Sequence, residues 1–297
     1  MTHSGTDSAQ RWTVLSLLQW GSDYLKAKGF DESRLTVDLL LAHVLSLPRL
    51  NLYLQFDRVL TVDELSKFKG LFKRRLTREP LQYIIGETDF MGLRVRVTPD
   101  VLVPRPETEV LAERAIEELK RRGDGRHEVL EIGTGSGNLA LAIARFVPAA
   151  HILSIDVSAA ALAVARENLR MHSIETVDLD EMDVFSDRLL GRTFDMIVSN
   201  PPYIPLAEYA ELQREVRDFE PRLATTDEAD GLRVIRRIIE LAGTALLPGG
   251  SLMLEVAYDQ SRAVTELLLL QGLREIRWHD DHAGIPRVAC ARREAVP

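Results

Sequence analysis

From Arg11 to about Gln82 the apolar residues recur at helical spacing, as in Val14, Leu15 and Leu18 and later Leu39, Leu40, Val44 and Leu47, with breaks near Gly29 and Pro48. The run Thr61-Val62-Asp63-Glu64-Leu65 sets a capping threonine three residues before a glutamate, which predicts a helix start. Residues 1–82 therefore read as a small all-helical domain. Residues 83–103 change to short alternating segments, with Arg94-Val95-Arg96-Val97 ahead of Thr98-Pro99-Asp100, and predict a β-hairpin connector. The chain then turns at Pro104-Arg105-Pro106, and Glu107 to Arg121 reads as a helix. From Glu128 onward strand-like runs alternate with helical ones. Val129–Ile132, Ile152–Ile155, Val177–Met182, Met196–Val198 and Leu252–Val256 are the expected strands; Asn138–Phe146, Ala159–Met171, Leu232–Leu246 and Gln260–Gln271 are the expected helices. That alternation predicts an α/β domain over 104–297, a parallel sheet covered by helices.

A chain of 297 residues exceeds the usual single domain, in keeping with two units. With 45% hydrophobic and 28% charged residues, the composition is that of a soluble globular protein. No run of about 18 uncharged apolar residues occurs, and residues 1–10 lack the basic start and apolar stretch of a signal peptide, so the expectation is no membrane segment and a cytoplasmic location. The lone Cys290 can form neither an internal disulfide nor a cysteine zinc site; it reads as a buried, apolar-like residue, and no metal is expected.

The net charge of −8 opposes a protein whose main work is gripping a phosphate backbone, so no stable nucleic-acid binding is expected. The acidity is uneven: residues 1–85 hold 12 Lys+Arg against 9 Asp+Glu, and the remainder 25 against 36. Lys67, Lys69, Lys73, Arg74, Arg75 and Arg78 read first as a solvated helix face and second as a surface for docking a partner.

Candidate chemistry begins at Gly133-Thr134-Gly135-Ser136-Gly137, a glycine-rich turn between a strand and a helix. Such glycines permit positive φ and close approach of a ligand, and the helix start supplies free N–H groups. A glycine turn alone also fits a nucleotide phosphate or tight packing. The second strand ends in Asp156, about twenty residues on, where a carboxylate can accept from both ribose hydroxyls. As a strand-end acid, Asp156 is expected to carry no packing role. Glu131, just before the first glycine, is poorly placed for a pyrophosphate but suits a ligand with an amino group and a sulfonium. Asp183 follows the third strand, where it could accept from an adenine amine. Together these residues resemble the cofactor site of class I S-adenosylmethionine methyltransferases.

After the fourth strand comes Asn200-Pro201-Pro202-Tyr203. Ligands of open α/β sheets bind outside the carboxyl ends of the strands, so the position matters. The two prolines fix φ and remove two donors, leaving a loop that presents carbonyl oxygens. Asn200 adds a side-chain carbonyl, and the Pro201 carbonyl can accept a second hydrogen. An amide or aromatic amine is a poor nucleophile because its lone pair is delocalised, and accepting both hydrogens orients it for attack. Tyr203 is expected to pack its ring on the planar target. The bland reading is a rigid proline turn with a surface tyrosine.

Asn-Pro-Pro-Tyr is shared by glutamine-amide and adenine-amine methyltransferases. The chain also carries Thr88-Asp89-Phe90-Met91-Gly92-Leu93, Leu102-Val103-Pro104-Arg105-Pro106-Glu107-Thr108-Glu109, Asp218-Phe219-Glu220-Pro221 and the run Asp280-Asp281-His282-Ala283-Gly284-Ile285-Pro286-Arg287-Val288. That ordered set, behind a helical domain, resembles the bacterial release factor glutamine methyltransferase family over nearly the full length. The resemblance implies a Rossmann-like methyltransferase fold and S-adenosyl-L-methionine as methyl donor. It implies as target the glutamine of the Gly-Gly-Gln tripeptide in class 1 peptide chain release factors, with the helical domain helping to dock them. It also implies cofactor contacts at Gly133 to Gly137, Asp156 and Asn200, and glutamine contacts at Asn200 to Tyr203. Two departures stand out. The aromatic often found after the third-strand acid is Val184 here, and residues 222–232 lack the glycine pair that precedes Asp-Gly-Leu in the family. The alternatives are an adenine-specific nucleic-acid methyltransferase, a methyltransferase of ribosomal-protein glutamine, whose family differs at Pro-Arg-Pro-Glu-Thr-Glu, and a catalytically inactive binding module.

Overall fold

The computed structural model describes residues 11–294, and the chain divides into two compact units after Ile85. The first is all-helical: α1 (Val14–Ala27), α2 (Ser33–Leu45), α3 (Arg49–Tyr53), α4 (Val62–Leu76) and α5 (Leu81–Ile85). Its core joins Leu18, Leu25, Val37, Leu40, Leu41, Leu52, Phe68 and Phe72; of the residues whose spacing predicted the helices, Val14, Leu18 and Leu40 are in this core and Val44 packs against it, whereas Leu15, Leu39 and Leu47 are not part of it. The cap expected at Thr61 forms in both directions, Glu64 N to Thr61 Oγ1 at 3.2 Å and Thr61 N to Glu64 Oε2 at 2.8 Å.

The arginines at the end of α4 fit neither sequence reading cleanly. Arg78 donates to the carbonyls of Lys28 and Gly29 at 3.0 and 3.1 Å and lies 3.9 Å over the Phe30 ring. Arg75 stacks on the same ring at 4.4 Å, and Arg74 binds Glu79 at 2.9 Å. These cations close the carbonyl end of α1 and hold the helices together. Lys69 and Lys73 remain exposed.

The second unit begins with the hairpin of β1 (Glu87–Phe90) and β2 (Leu93–Arg96). Its two-residue turn, Met91-Gly92, has φ of +52° and +74°, the mirror-image turn that matches strand twist. Then follow α6 (Pro106–Arg121), β3 (His127–Ile132), α7 (Asn138–Phe146), β4 (Ala150–Asp156), α8 (Ala159–Met171), β5 (Val177–Glu181), β6 (Phe194–Ser199), α9 (Arg214–Phe219), α10 (Arg222–Thr225), α11 (Arg233–Ala245), β7 (Leu246–Glu255), α12 (Ser261–Leu270), β8 (Leu273–Asp280) and β9 (Pro286–Arg293). The seven-stranded sheet has the order β5-β4-β3-β6-β7-β9-β8, with β9 antiparallel to both neighbours and the remaining pairs parallel.

All five expected strands and all five helices expected in this unit form. Sequence reading missed β8 and β9; in β8, an edge strand, Arg274, Glu275 and Arg277 interrupt the apolar run. Cys290 lies on β9 and is half-buried rather than fully buried as expected; its partial burial still pushes the thiol up to about 12. Among the described residues no helix is long and apolar enough to cross a membrane.

Candidate active site

Chain order turns back at β3: β4 and β5 extend the sheet to one side, and β6 pairs on the other. Ile132 and Ser199 are register partners at the carboxyl ends of β3 and β6, so the next residues, Gly133 and Asn200, must leave the sheet side by side. This is the switch point at which open α/β sheets bind ligands. A cavity of about 460 Å³ opens there, and of the residues singled out from sequence it is lined by Glu131, Gly133 to Ser136, Asp156, Asp183, Val184 and Asn200 to Pro202.

Gly133, Gly135 and Gly137 have φ of +85°, +53° and +77°. A Cβ on Gly135 would meet nothing within 4 Å, whereas one on Gly137 would stand 2.9 Å from the Cβ of Ala165. Gly137 thus serves the packing of α7 on α8 and is not among the residues lining the cavity. Asn168, fully buried on α8, fixes the surroundings: its amide donates to the Ser136 carbonyl at 2.8 Å and brackets Arg96 through both backbone groups.

Asp156 accepts from Gly135 N through Oδ2 and from Ser158 N through Oδ1, both at 2.9 Å. The expectation that this acid has no structural role is therefore corrected: it ties the glycine turn to its own strand end. Glu131 is 1% exposed. One oxygen accepts from Ser154 Oγ, which also bonds Thr134 Oγ1 at 2.6 Å, while Oε1 has no hydrogen-bond partner. Burial pushes its carboxyl up to about 8, against the pull of the Ser154 hydroxyl and of the Ala140 backbone amide at the start of α7. A buried carboxyl with one oxygen left without a geometric hydrogen-bond partner, beside two more acids on one cavity, fits a ligand carrying a cation and N–H or O–H donors better than a phosphate.

Asp183 is exposed and caps the turn after β5, accepting from Phe185 N at 2.8 Å. Val184 is buried, and the next residue, Phe185, lines the cavity with Arg233 stacked 4.7 Å from its ring.

Around the proline motif, Asn200 Nδ2 donates to Thr108 Oγ1 at 3.0 Å, and Thr108 Oγ1 donates to Glu255 Oε2 at 2.7 Å. Tyr203 donates to the other oxygen, Glu255 Oε1, at 3.3 Å. Tyr203 is not among the cavity-lining residues; it packs against the sheet core, where burial raises its phenol above the ordinary value. Its backbone oxygen accepts from Gln260 Nε2 at 2.9 Å. Sequence reading missed Thr108 as a partner of Asn200, and missed Glu255 altogether. Its signal was a lone acid closing the apolar run Leu252-Met253-Leu254.

The missing glycine pair is compensated. Asp227 accepts from Ala229 N, Gly231 N and Arg233 N at 2.9, 2.9 and 2.7 Å, and Glu228 holds a left-handed φ of +59° while pairing with Arg222. Both line the cavity.

Residues 16–86 match the PrmC N-terminal domain profile, and residues 108–215 match that of the methyltransferase small domain. Release factor glutamine methyltransferase of Geobacter sulfurreducens is 41% identical over 97% of this chain and 99% of its own length. The chain belongs to that family. The Rhodopirellula baltica relative of the same name is 38% identical over 95% of this chain and 97% of its own. A solved methyltransferase from Pyrococcus furiosus, 19% identical, superposes with a TM-score of 0.51 over 78% of this chain and 99% of that one, a likeness of fold.

Proposed function

We propose that this protein methylates the side-chain amide nitrogen of the glutamine in the Gly-Gly-Gln motif of class 1 peptide chain release factors, with S-adenosyl-L-methionine as donor. The observation that carries the reading is the Asn200 carboxamide, whose nitrogen is engaged by Thr108 in a cavity that also holds Glu131 and the glycine turn.

Glu131, Asp156, Asp183 and residues 133–136 would hold the cofactor, the orphaned Glu131 oxygen suiting its ammonium and Asp156 its ribose. When bound, the sulfonium supplies an electrophilic methyl and a neutral thioether leaving group. The protein's part is orientation. Asn200 Oδ1 and the Pro201 carbonyl accept the two amide hydrogens, which aligns the nitrogen; such alignment accounts for up to ~7–11 kcal/mol of a barrier. The proline pair offers no competing N–H. No strong base is needed in advance, because the nitrogen becomes acidic as it is alkylated.

Release factor incubated with enzyme and labelled cofactor is expected to gain one methyl on the peptide that contains Gly-Gly-Gln. Label on adenine of a nucleic acid, and none on the factor, would overturn the reading in favour of the adenine methyltransferase. The helical unit is assigned to docking the factor. A chain starting at Gly86 should bind cofactor and methylate intact factor poorly; full activity at sub-saturating factor would refute that assignment.

A further inference from the structure

We infer that Thr108 and Glu255 are positioning residues that decide which end of the Asn200 carboxamide faces the substrate, a role that rests on the methyl-transfer reading above. Thr108 is 3% exposed and Glu255 1%, so neither group can turn to solvent for a substitute partner. Among the described residues, the hydrogen-bond donors to the Glu255 carboxylate are two hydroxyls, those of Thr108 and Tyr203. A hydroxyl has a single hydrogen and spare lone pairs. In its ionised form the Glu255 carboxylate is the stronger acceptor and takes the Thr108 hydrogen, so Thr108 presents a lone pair to Asn200. Only the NH2 end of Asn200 can meet a lone pair, as it does at 3.0 Å. Its carbonyl is therefore turned to the cavity, where an incoming amide needs an acceptor. A reversed Asn200 would set carbonyl against lone pair on one side and NH2 against NH2 on the other.

The relay links α6, the end of β6 and the end of β7, elements that meet only in the folded sheet. Through Tyr203 the same carboxylate also holds the far end of the proline motif. One buried acid thus sets both flanks of the loop. Its Thr108 branch explains a residue inside the Pro-Arg-Pro-Glu-Thr-Glu run that never has to touch the substrate.

Full-length protein with Thr108→Val, Thr108→Ser and Glu255→Gln tests the role. Valine matches threonine in shape and lacks the hydroxyl. In single-turnover transfer to release factor at saturating cofactor and factor, Thr108→Val should lose about tenfold or more in rate while cofactor affinity and factor KM stay within about threefold. Thr108→Ser, which keeps the hydroxyl, should recover most of that loss. Glu255→Gln can donate to Thr108 and turn its hydrogen towards Asn200, so it should fall with valine. Equal rates for valine and serine, or a loss confined to cofactor affinity, would overturn the inference.

A second readout does not depend on turnover. In asparagine-labelled protein the two Asn200 side-chain protons should exchange with water at clearly different rates, and at equal rates in Thr108→Val. Equal rates in the wild type would refute the relay even if the factor is methylated, whereas absence of methylation with unequal rates would fault only the assigned substrate.

Discussion

The amide of Gly135 donates to Asp156 Oδ2 at 2.9 Å, so the acid that ends β4 also tethers the turn that ends β3. A residue placed to receive ribose hydroxyls is thereby part of the frame of its own site. Asp156→Ala should weaken cofactor binding about tenfold or more, since charge-assisted hydrogen bonds contribute roughly 1.5–3 kcal/mol each. It should also lower the melting temperature of the free enzyme, because Gly135 N and Ser158 N lose their acceptor. Asp156→Asn, which keeps one acceptor, should fall between. Calorimetric titration and thermal melting check both halves; an unchanged affinity would remove Asp156 from the site.

Glu131 gives the cofactor affinity a pH dependence. Its carboxyl is held up at about 8 by burial, well above the unfolded value, so the folded protein keeps a proton there that the unfolded chain releases. This group's ionisation accordingly costs stability progressively as pH rises from about 4.5 to 8. A cation beside the orphaned oxygen favours the ionised form, so binding expels the proton. Affinity for S-adenosylmethionine should climb towards pH ~8 by up to about tenfold per unit, then level off. Glu131→Gln should flatten the curve at weaker affinity. Calorimetry in two buffers of different ionisation enthalpy reads the released proton directly, and equal heats in both would contradict the scheme.

Gly231 is constrained by a neighbour. Its φ is +79°, and a Cβ there would overlap the backbone oxygen of Tyr203 and lie 2.9 Å from Gln260 Nε2. Gly231→Ala should therefore push the proline loop and break the Gln260 bond, with about 1–3 kcal/mol lost to overpacking. Turnover should fall more than cofactor affinity, since residues 133–136 are on the other side of the switch point. Comparing Kd with the single-turnover rate checks this, and equal losses in both would point to a general collapse.

The sequence showed more of the fold than of the wiring. α7 and α8 match their expected limits at both ends, because a glycine or serine start and an apolar stripe mark them locally. The proline loop and glycine turn were legible as motifs, but the insertion of β9 between β7 and β8 was not, because neither strand carries a clean alternating pattern. The Thr108 to Asn200 bond spans 92 positions and that from Thr108 to Glu255 spans 147, distances over which only the packing of α6 on the registered ends of β6 and β7 brings groups together. Phe185 was overlooked by a shift of one residue, since which of two neighbours faces a cavity is set by the turn after β5. The structural duty of Asp156 was hidden because a backbone amide leaves no mark in sequence.

Asn200 is where hydrogen-bond direction and charge can be separated. Asn200→Ala removes the acceptor and should abolish most turnover, with a smaller effect on cofactor affinity because Asp156 and the glycine turn remain. Asn200→Asp is set by its surroundings. The only hydrogen on Thr108 already goes to Glu255, whose carboxyl burial has pushed up to about 7. An ionised carboxyl at position 200 would face a lone pair and stand near a second buried acid, so like-charge repulsion favours its protonated form. Protonated, it can donate to Thr108 and still offer its carbonyl to the substrate, as asparagine does. Asn200→Asp should thus approach alanine's low rate at high pH and exceed it increasingly as pH falls. Single-turnover rates at saturating cofactor, compared between the two variants from about pH 6 to pH 9, read this ratio. A ratio that stays constant across the range would show that Thr108 does not discriminate donor from acceptor, and alanine reacting as fast as wild type would remove Asn200 from the chemistry.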